Sequence, residues 1–141
     1  PSLINLLGST DPRIRKASSE VLGAMDESGH IAIPDLVDAL ADLDDSVKWA
    51  ASRALINFGV HSLPELIYIL ENKDSDYYPG ILNTLGGIGI NASEAAPYVS
   101  NLIFSNDPMI RVLVIETLGK ISDREDKIIS TLEKTKIGEI I

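Results

Sequence analysis

Between Pro34 and Gly59 the apolar residues form two short helical faces separated by an acidic turn. Leu36, Val37 and Leu40 share one side of a first helix, and Asp42, Asp44 and Asp45 interrupt it. Val47, Ala51, Ala54, Leu55 and Phe58 then gather on one side of a second helical wheel drawn at about 100° per residue. A hairpin of this kind has apolar faces on both helices and cannot bury them alone, so the pattern predicts a unit that needs neighbours.

The same pattern recurs along the chain. Pro1, Pro34, Pro64 and Pro97 precede apolar residues at spacings of 33, 30 and 33; Asp11, Asp44, Asp74 and Asp107 keep the same schedule, and so do Leu22, Leu55, Leu85 and Leu118. Three residue types on one irregular schedule identify an internal repeat. The three missing residues lie between the second and third units, because Met25 to Pro34 and Ile88 to Pro97 are nine apart whereas Phe58 to Pro64 is six. The units are 1–33, 34–63, 64–96, 97–125 and a partial fifth, 126–141, in a single domain 1–141.

Proline suits the first turn of a helix, where its missing N–H has no intrahelical partner. The recurrent aspartate falls where it can cap the second helix of each unit, since a carboxylate accepts from the free N–H groups there. Helical wheels predict inward stripes of Ile14, Ser18, Val21, Leu22 and Met25 in the first unit, and Tyr77, Ile81, Thr84, Leu85 and Ile88 in the third. Ile110, Val114, Thr117, Leu118 and Ile121 form the fourth, with Ala17, Ala50 and Gly80 edging the series. Gly23, Gly86 and Gly119, each following the recurrent leucine, are expected at close helix contacts. Asp126 to Lys134, with Ile128, Ile129 and Leu132, matches the first helix of a fifth unit, so nine helices are expected counting a short one at Ser2 to Leu7.

Composition narrows the functions open to such an array. A chain of 141 residues with 45% hydrophobic content can bury one ordinary core. Its 12 basic against 21 acidic side chains, net −9, argue against binding phosphate backbones or anionic membranes. There is no cysteine for disulfide, thiol or cysteine-metal chemistry, which fits a reducing, cytoplasmic setting. No signal-peptide pattern and no apolar run of membrane-spanning length is present. The chain opens at Pro1, already inside a unit, and so reads as a fragment or processed product.

The units resemble HEAT-like repeats of the phycobilisome-lyase group. The resemblance rests on Asp11-Pro-Arg-Ile-Arg-Lys-Ala with Val21-Leu-Gly, Asp44-Asp-Ser-Val-Lys-Trp-Ala-Ala with Ala54-Leu, and Asp107-Pro-Met-Ile-Arg-Val with Thr117-Leu-Gly. The third unit departs from it, with Tyr78-Pro79-Gly80 where a basic residue and alanine are usual, so its second helix is expected to start late or pack loosely. The resemblance implies a right-handed α-solenoid, all-α, with the second helices lining the concave side. It also implies that the basic position after the aspartate, here Arg15, Lys48 and Arg111, ties neighbouring units together.

If the second helices face the hollow, the residues opposite the buried stripe are those a ligand meets. One row is Lys16, Trp49, Pro79 and Val112; the next is Glu20, Arg53, Asn83 and Glu116; Met109 belongs to a third with Arg13, Ser46 and Asp76. Trp49, the only tryptophan, stands where the pattern asks for a solvated side chain. Either it folds back to cover core, or it anchors a partner, as exposed aromatics in a contiguous line do. The expected function is a non-enzymatic protein-interaction scaffold that takes a partner helix or peptide on Lys16, Glu20, Trp49, Arg53, Pro79, Asn83, Met109, Val112 and Glu116. One alternative is a nucleic-acid binder of the HEAT-like DNA-glycosylase type, against which the acidic balance argues. Another is a subunit of a chromophore lyase.

No cofactor or metal site is expected. His30 and His61 stand in loops and neither precedes a glutamate, unlike the His-Glu pairs of HEAT-like iron hydroxylases. The run Asp35, Asp38, Asp42, Asp44, Asp45 lacks the spacing of a calcium loop and reads as a solvated convex face. No nucleophile elbow or phosphate-binding glycine motif occurs. Asn91-Ala-Ser matches a glycosylation acceptor, which matters only on secretion.

Overall fold

The computed structural model describes residues 2–72 and 74–122, and within them the chain forms eight α-helices and no strand. The helix expected at Asp126 to Lys134, the partial fifth unit and Pro1 lie outside the described residues. First helices α1 (Leu3–Leu6), α3 (Ile33–Asp38), α5 (Leu63–Glu71) and α7 (Ala96–Ser100) alternate with second helices α2 (Pro12–Gly23), α4 (Asp45–Phe58), α6 (Tyr78–Ile88) and α8 (Pro108–Ile121). Short 3₁₀ turns join them.

The boundaries follow the local chemistry. Pro34, Pro64 and Pro97 sit in the first turn of α3, α5 and α7. Asp11, Asp44 and Asp107 are the N-caps of α2, α4 and α8, their carboxylates accepting from Arg13, Ser46 and Met109 N–H at 2.9, 2.8 and 2.9 Å. Asp74 instead caps a 3₁₀ turn, Ser75–Tyr77, and α6 begins only at Tyr78. The late start expected of the third unit is therefore present, since Pro79 can open a helix but cannot donate within one. Gly59 and Gly89 stop α4 and α6 with φ of 60° and 80°, a region that side chains with a Cβ disfavour.

Successive second helices pack along their lengths, α2 on α4, α4 on α6 and α6 on α8, whereas α3, α5 and α7 touch one another only sparsely. The result is an α-solenoid of two layers, in which the longer second helices, the layer expected on the concave side, pack continuously on one another. Leu36, Leu40, Leu55, Leu66, Leu85 and Leu118 are fully buried between the layers.

The expected stripes are buried in the second and fourth units. The first unit differs: Ser18 and Leu22 are buried, but Ile14, Val21 and Met25 remain 41%, 48% and 37% exposed. Of their buried counterparts Val47, Ala54 and Phe58, Ala54 lies against Gly23 and Phe58 against Gly29 of the preceding unit. No described unit stands before α2, so an inward orientation on the wheel does not bury these three.

Each contact between second helices has its own chemistry. At α2–α4 a Cβ added to Gly23 would stand 2.7 Å from the Ala54 Cα, so the helices meet backbone to backbone. At α4–α6, Ile56 packs over Gly87, while Ser52 and Thr84 share a buried hydrogen bond of 2.8 Å and Asn83 Nδ2 donates to Ser52 Oγ at 3.2 Å. At α6–α8, Thr117 Oγ1 donates to the Leu82 carbonyl at 3.2 Å and the Lys120 methylenes lie over Gly86. Gly119 meets no such neighbour among the described residues, so the close contact expected there is not seen.

Of the three basic residues expected to tie units together, Arg15 does so. Its Nε and Nη2 donate to Asp42 at 2.8 and 3.0 Å, and its Nη1 donates to the Ser9 carbonyl at 2.8 Å, joining the first unit to the second. Among the described residues, Arg111 donates to the Ser105 carbonyl at 2.7 Å within its own unit, and Lys48 reaches only Asp45, at 3.7 Å along α4. The acidic run is correspondingly not a uniformly solvated face. Asp42 is half-buried against Arg15 and also accepts from Asp44 N–H at 2.9 Å, while Asp44 caps α4. Burial works against ionisation of Asp42, but the Arg15 guanidinium and the Asp44 N–H outweigh it and hold the carboxyl below the usual range.

Candidate partner-binding face

The inner face is built from the side of α2, α4, α6 and α8 that points away from the first helices. All nine residues expected there are exposed: Lys16 and Glu20 on α2, Trp49 and Arg53 on α4, Pro79 and Asn83 on α6, Met109, Val112 and Glu116 on α8. Trp49 is 60% exposed, which excludes the reading in which it folds back and seals core. α4 begins at its Asp44 cap, so Trp49 stands early in the helix, in line with Pro79 early in α6 and Val112 early in α8.

Clefts open on both sides of the indole. Toward α2 lies one of about 540 Å³, lined by Lys16, Glu20, Trp49, Arg53 and Asn57 with Gly23 and Ala54 at its floor. Toward α6 lies a smaller one of about 170 Å³, lined by Asp45, Lys48, Trp49, Ser52, Pro79 and Asn83. Met109, Val112 and Glu116 continue the face on α8 and line neither cleft. Asn57 and Ser52 are wall residues absent from the set expected on sequence grounds. Asn57 lies one turn beyond Arg53 and the wheel could have found it, whereas Ser52 owes its place to the pairing with Thr84, which no single helix reveals.

The charges in the face are mostly paired locally. Lys16 meets Glu20 at 3.9 Å, Lys48 meets Asp45 at 3.7 Å, and Arg13 clamps its own cap Asp11 at 2.9 Å. That clamp and the Arg13 N–H lower the Asp11 pKa. The exposed apolar groups form a line beside them rather than an enclosed pocket. Chemically the arrangement can stack and desolvate an apolar side chain, and among the described residues of the face no nucleophile is paired with a base.

Elsewhere the structure brings the two histidines together. The His30 ring stands 4.4 Å from that of His61, tilted by 31°, and meets Phe58 edge-on at 4.8 Å. Among the described residues no group of three or more histidine, aspartate or glutamate side chains is placed to hold a metal. No described helix is long and apolar enough to cross a membrane.

Paired helices stacked side by side in two layers define an α-solenoid repeat protein. Residues 1–56 match the family of HEAT repeats. That match lies within the first two units, and the same helical hairpin recurs through the described residues, so the array is similar to HEAT repeats. No curated protein matches the chain. Among solved structures it is similar to three engineered proteins from a structural genomics consortium. Two superpose with TM-scores of 0.54 and 0.53 at 21% and 20% identity, over 95% of this chain and 66% and 68% of theirs. The third gives 0.50 at 21% identity, over 95% of this chain and 40% of its own. At such identities the likeness is one of fold.

Proposed function

We propose that the chain is a non-enzymatic interaction module whose inner face receives a peptide segment of another protein. The observation that carries this reading is the exposure of Trp49 between two clefts, in line with Pro79 and Val112. A large aromatic in solvent costs hydration free energy that a partner's apolar side chain relieves, and such aromatics dominate interface energetics. Rows that run across successive helices suit an elongated ligand rather than a compact small molecule. The local pairing of Lys16, Lys48 and Arg13 with carboxylates leaves no continuous positive band among the described residues, which favours a peptide over a nucleic acid.

The test is selection of binders from a displayed random-peptide library on the intact chain, followed by comparison with Trp49→Ala. Trp49 buries less than half of its side chain, so truncation costs no more than about 2.5 kcal/mol of stability. The variant is expected to stay folded by circular dichroism while selected peptides lose at least about tenfold in affinity. Peptides that bind Trp49→Ala as tightly as the parent would remove the inner face from the interaction.

A further inference from the structure

Resting on the reading that the inner face takes a peptide, we propose its chemistry: an extended segment carrying an acidic and a basic side chain about six residues apart, with apolar side chains between them that alternate onto the Trp49 row. Arg53 on α4 and Glu116 on α8 occupy the same position of the repeat, two units apart. Both are exposed, and among the described residues neither forms an ion pair, whereas Lys16, Lys48 and Arg13 on the same face all do. Among the described residues the face thus offers one unanswered positive charge and one unanswered negative charge in the same row.

Asn83 fills the equivalent place on α6 between them. Its Nδ2 donates to Ser52 Oγ, and its Oδ1 has no partner among the described residues, so it can accept a backbone N–H from a chain laid across the helices. One turn nearer the helix starts run Trp49, Pro79 and Val112. A ligand crossing α4, α6 and α8 therefore lies between a charged–polar–charged row and an apolar one.

Spacing converts these rows into a register. Packed helices lie about 8–10 Å apart, so Arg53 and Glu116 are separated by about 16–20 Å across two contacts. An extended chain advances about 3.3 Å per residue, and its side chains alternate between sides, so two residues facing one row must be an even number apart. Six residues span about 20 Å and meet both conditions. The residues at odd offsets then face Trp49, Pro79 and Val112.

The experiment uses random dodecapeptides displayed on phage, selected against the intact chain, with synthetic versions titrated by calorimetry and, wherever it is retained, by the emission of Trp49, the only tryptophan. We expect enriched peptides to pair an acidic and a basic residue six positions apart and to shift Trp49 emission to the blue. Arg53→Glu is expected to weaken them at least about tenfold, with recovery when the peptide's acidic residue is changed to lysine; Glu116→Lys is expected to behave likewise with the basic residue changed to glutamate. Enriched peptides that need Trp49 but show no such charge spacing, or change less than about twofold on charge reversal, would overturn the register and leave the inner-face reading intact. Failure to select any peptide, or selection of peptides indifferent to Trp49→Ala, would overturn both.

Discussion

One substitution placed at equivalent points of the repeat is expected to change sign with position. Gly23, Gly86 and Gly119 follow the recurrent leucine on α2, α6 and α8. A Cβ at Gly23 would lie 2.6 Å from the Ala54 Cβ and 2.7 Å from its Cα, both on the neighbouring helix. Carbon atoms in contact prefer about 3.5–4.0 Å, so α2 and α4 must separate by about 1 Å. Overpacking of this kind costs about 1–3 kcal/mol, and alanine returns about 1 kcal/mol at most through helix propensity. Gly23→Ala is therefore destabilising, by up to about 3 kcal/mol.

At Gly119 nothing among the described residues lies within 4 Å of an added Cβ, so no described neighbour opposes a propensity gain of about 1 kcal/mol. At Gly86 the nearest atom is the Lys120 Cδ at 3.1 Å, the flexible part of a side chain, and Gly86→Ala should lie between the two. Urea and thermal unfolding followed by circular dichroism measure the series, with about 3–4 °C in Tm per kcal/mol for a chain of this size. A Gly23→Ala variant as stable as the parent, or shifts of one sign at Gly23 and Gly119, would refute the argument from helix approach.

Ser52→Ala leaves Thr84 and Asn83 each short of a partner and should cost about 1–2 kcal/mol, while Ser52→Ala with Thr84→Val should cost less than the sum of the two single changes in a double-mutant cycle by urea unfolding. Asp11, Asp42 and Asp44 have lowered pKa values in the folded chain, so they contribute stability above the unfolded value near about 3.9 and lose it as pH falls through the folded values; urea midpoints should drop between about pH 5 and pH 2, and less steeply in Asp42→Asn. Asp38, pushed upward by burial and then by the Asp35 charge, acts in the opposite direction and will flatten that slope. Gly59→Ala, forced to keep φ near 60°, should destabilise by about 1–2 kcal/mol even though the added methyl meets nothing within 4 Å, as the thermal midpoint would show.

Helix starts and stops were legible because they depend on local chemistry. Pro34, Pro64 and Pro97 and the aspartates at 11, 44 and 107 act within one turn of themselves, and even the late opening of α6 follows from Pro79. The exposure of Trp49 was legible as one of two alternatives from its place on the wheel. What depends on a neighbouring unit was not. The wheel directs Ile14, Val21 and Met25 inward but cannot say whether anything covers them, and it reads Asp42 as a surface acid although its partner Arg15 is 27 positions away. His30 and His61 likewise meet although 31 positions apart, and Ser52, in the site wall, is bonded to Thr84 of the next unit.

The three contacts between inner helices also carry information about order. Glycine meets alanine at the first, isoleucine over glycine with a hydroxyl pair at the second, and a threonine facing a backbone carbonyl at the third. Exchanging the second unit with the third would leave Ser52 and Thr84 without each other and thrust Ile56 against a different surface. The succession of units is thus written into their mating edges, and a shuffled gene built from these same parts would be expected to yield a poorly assembled protein rather than a rearranged one.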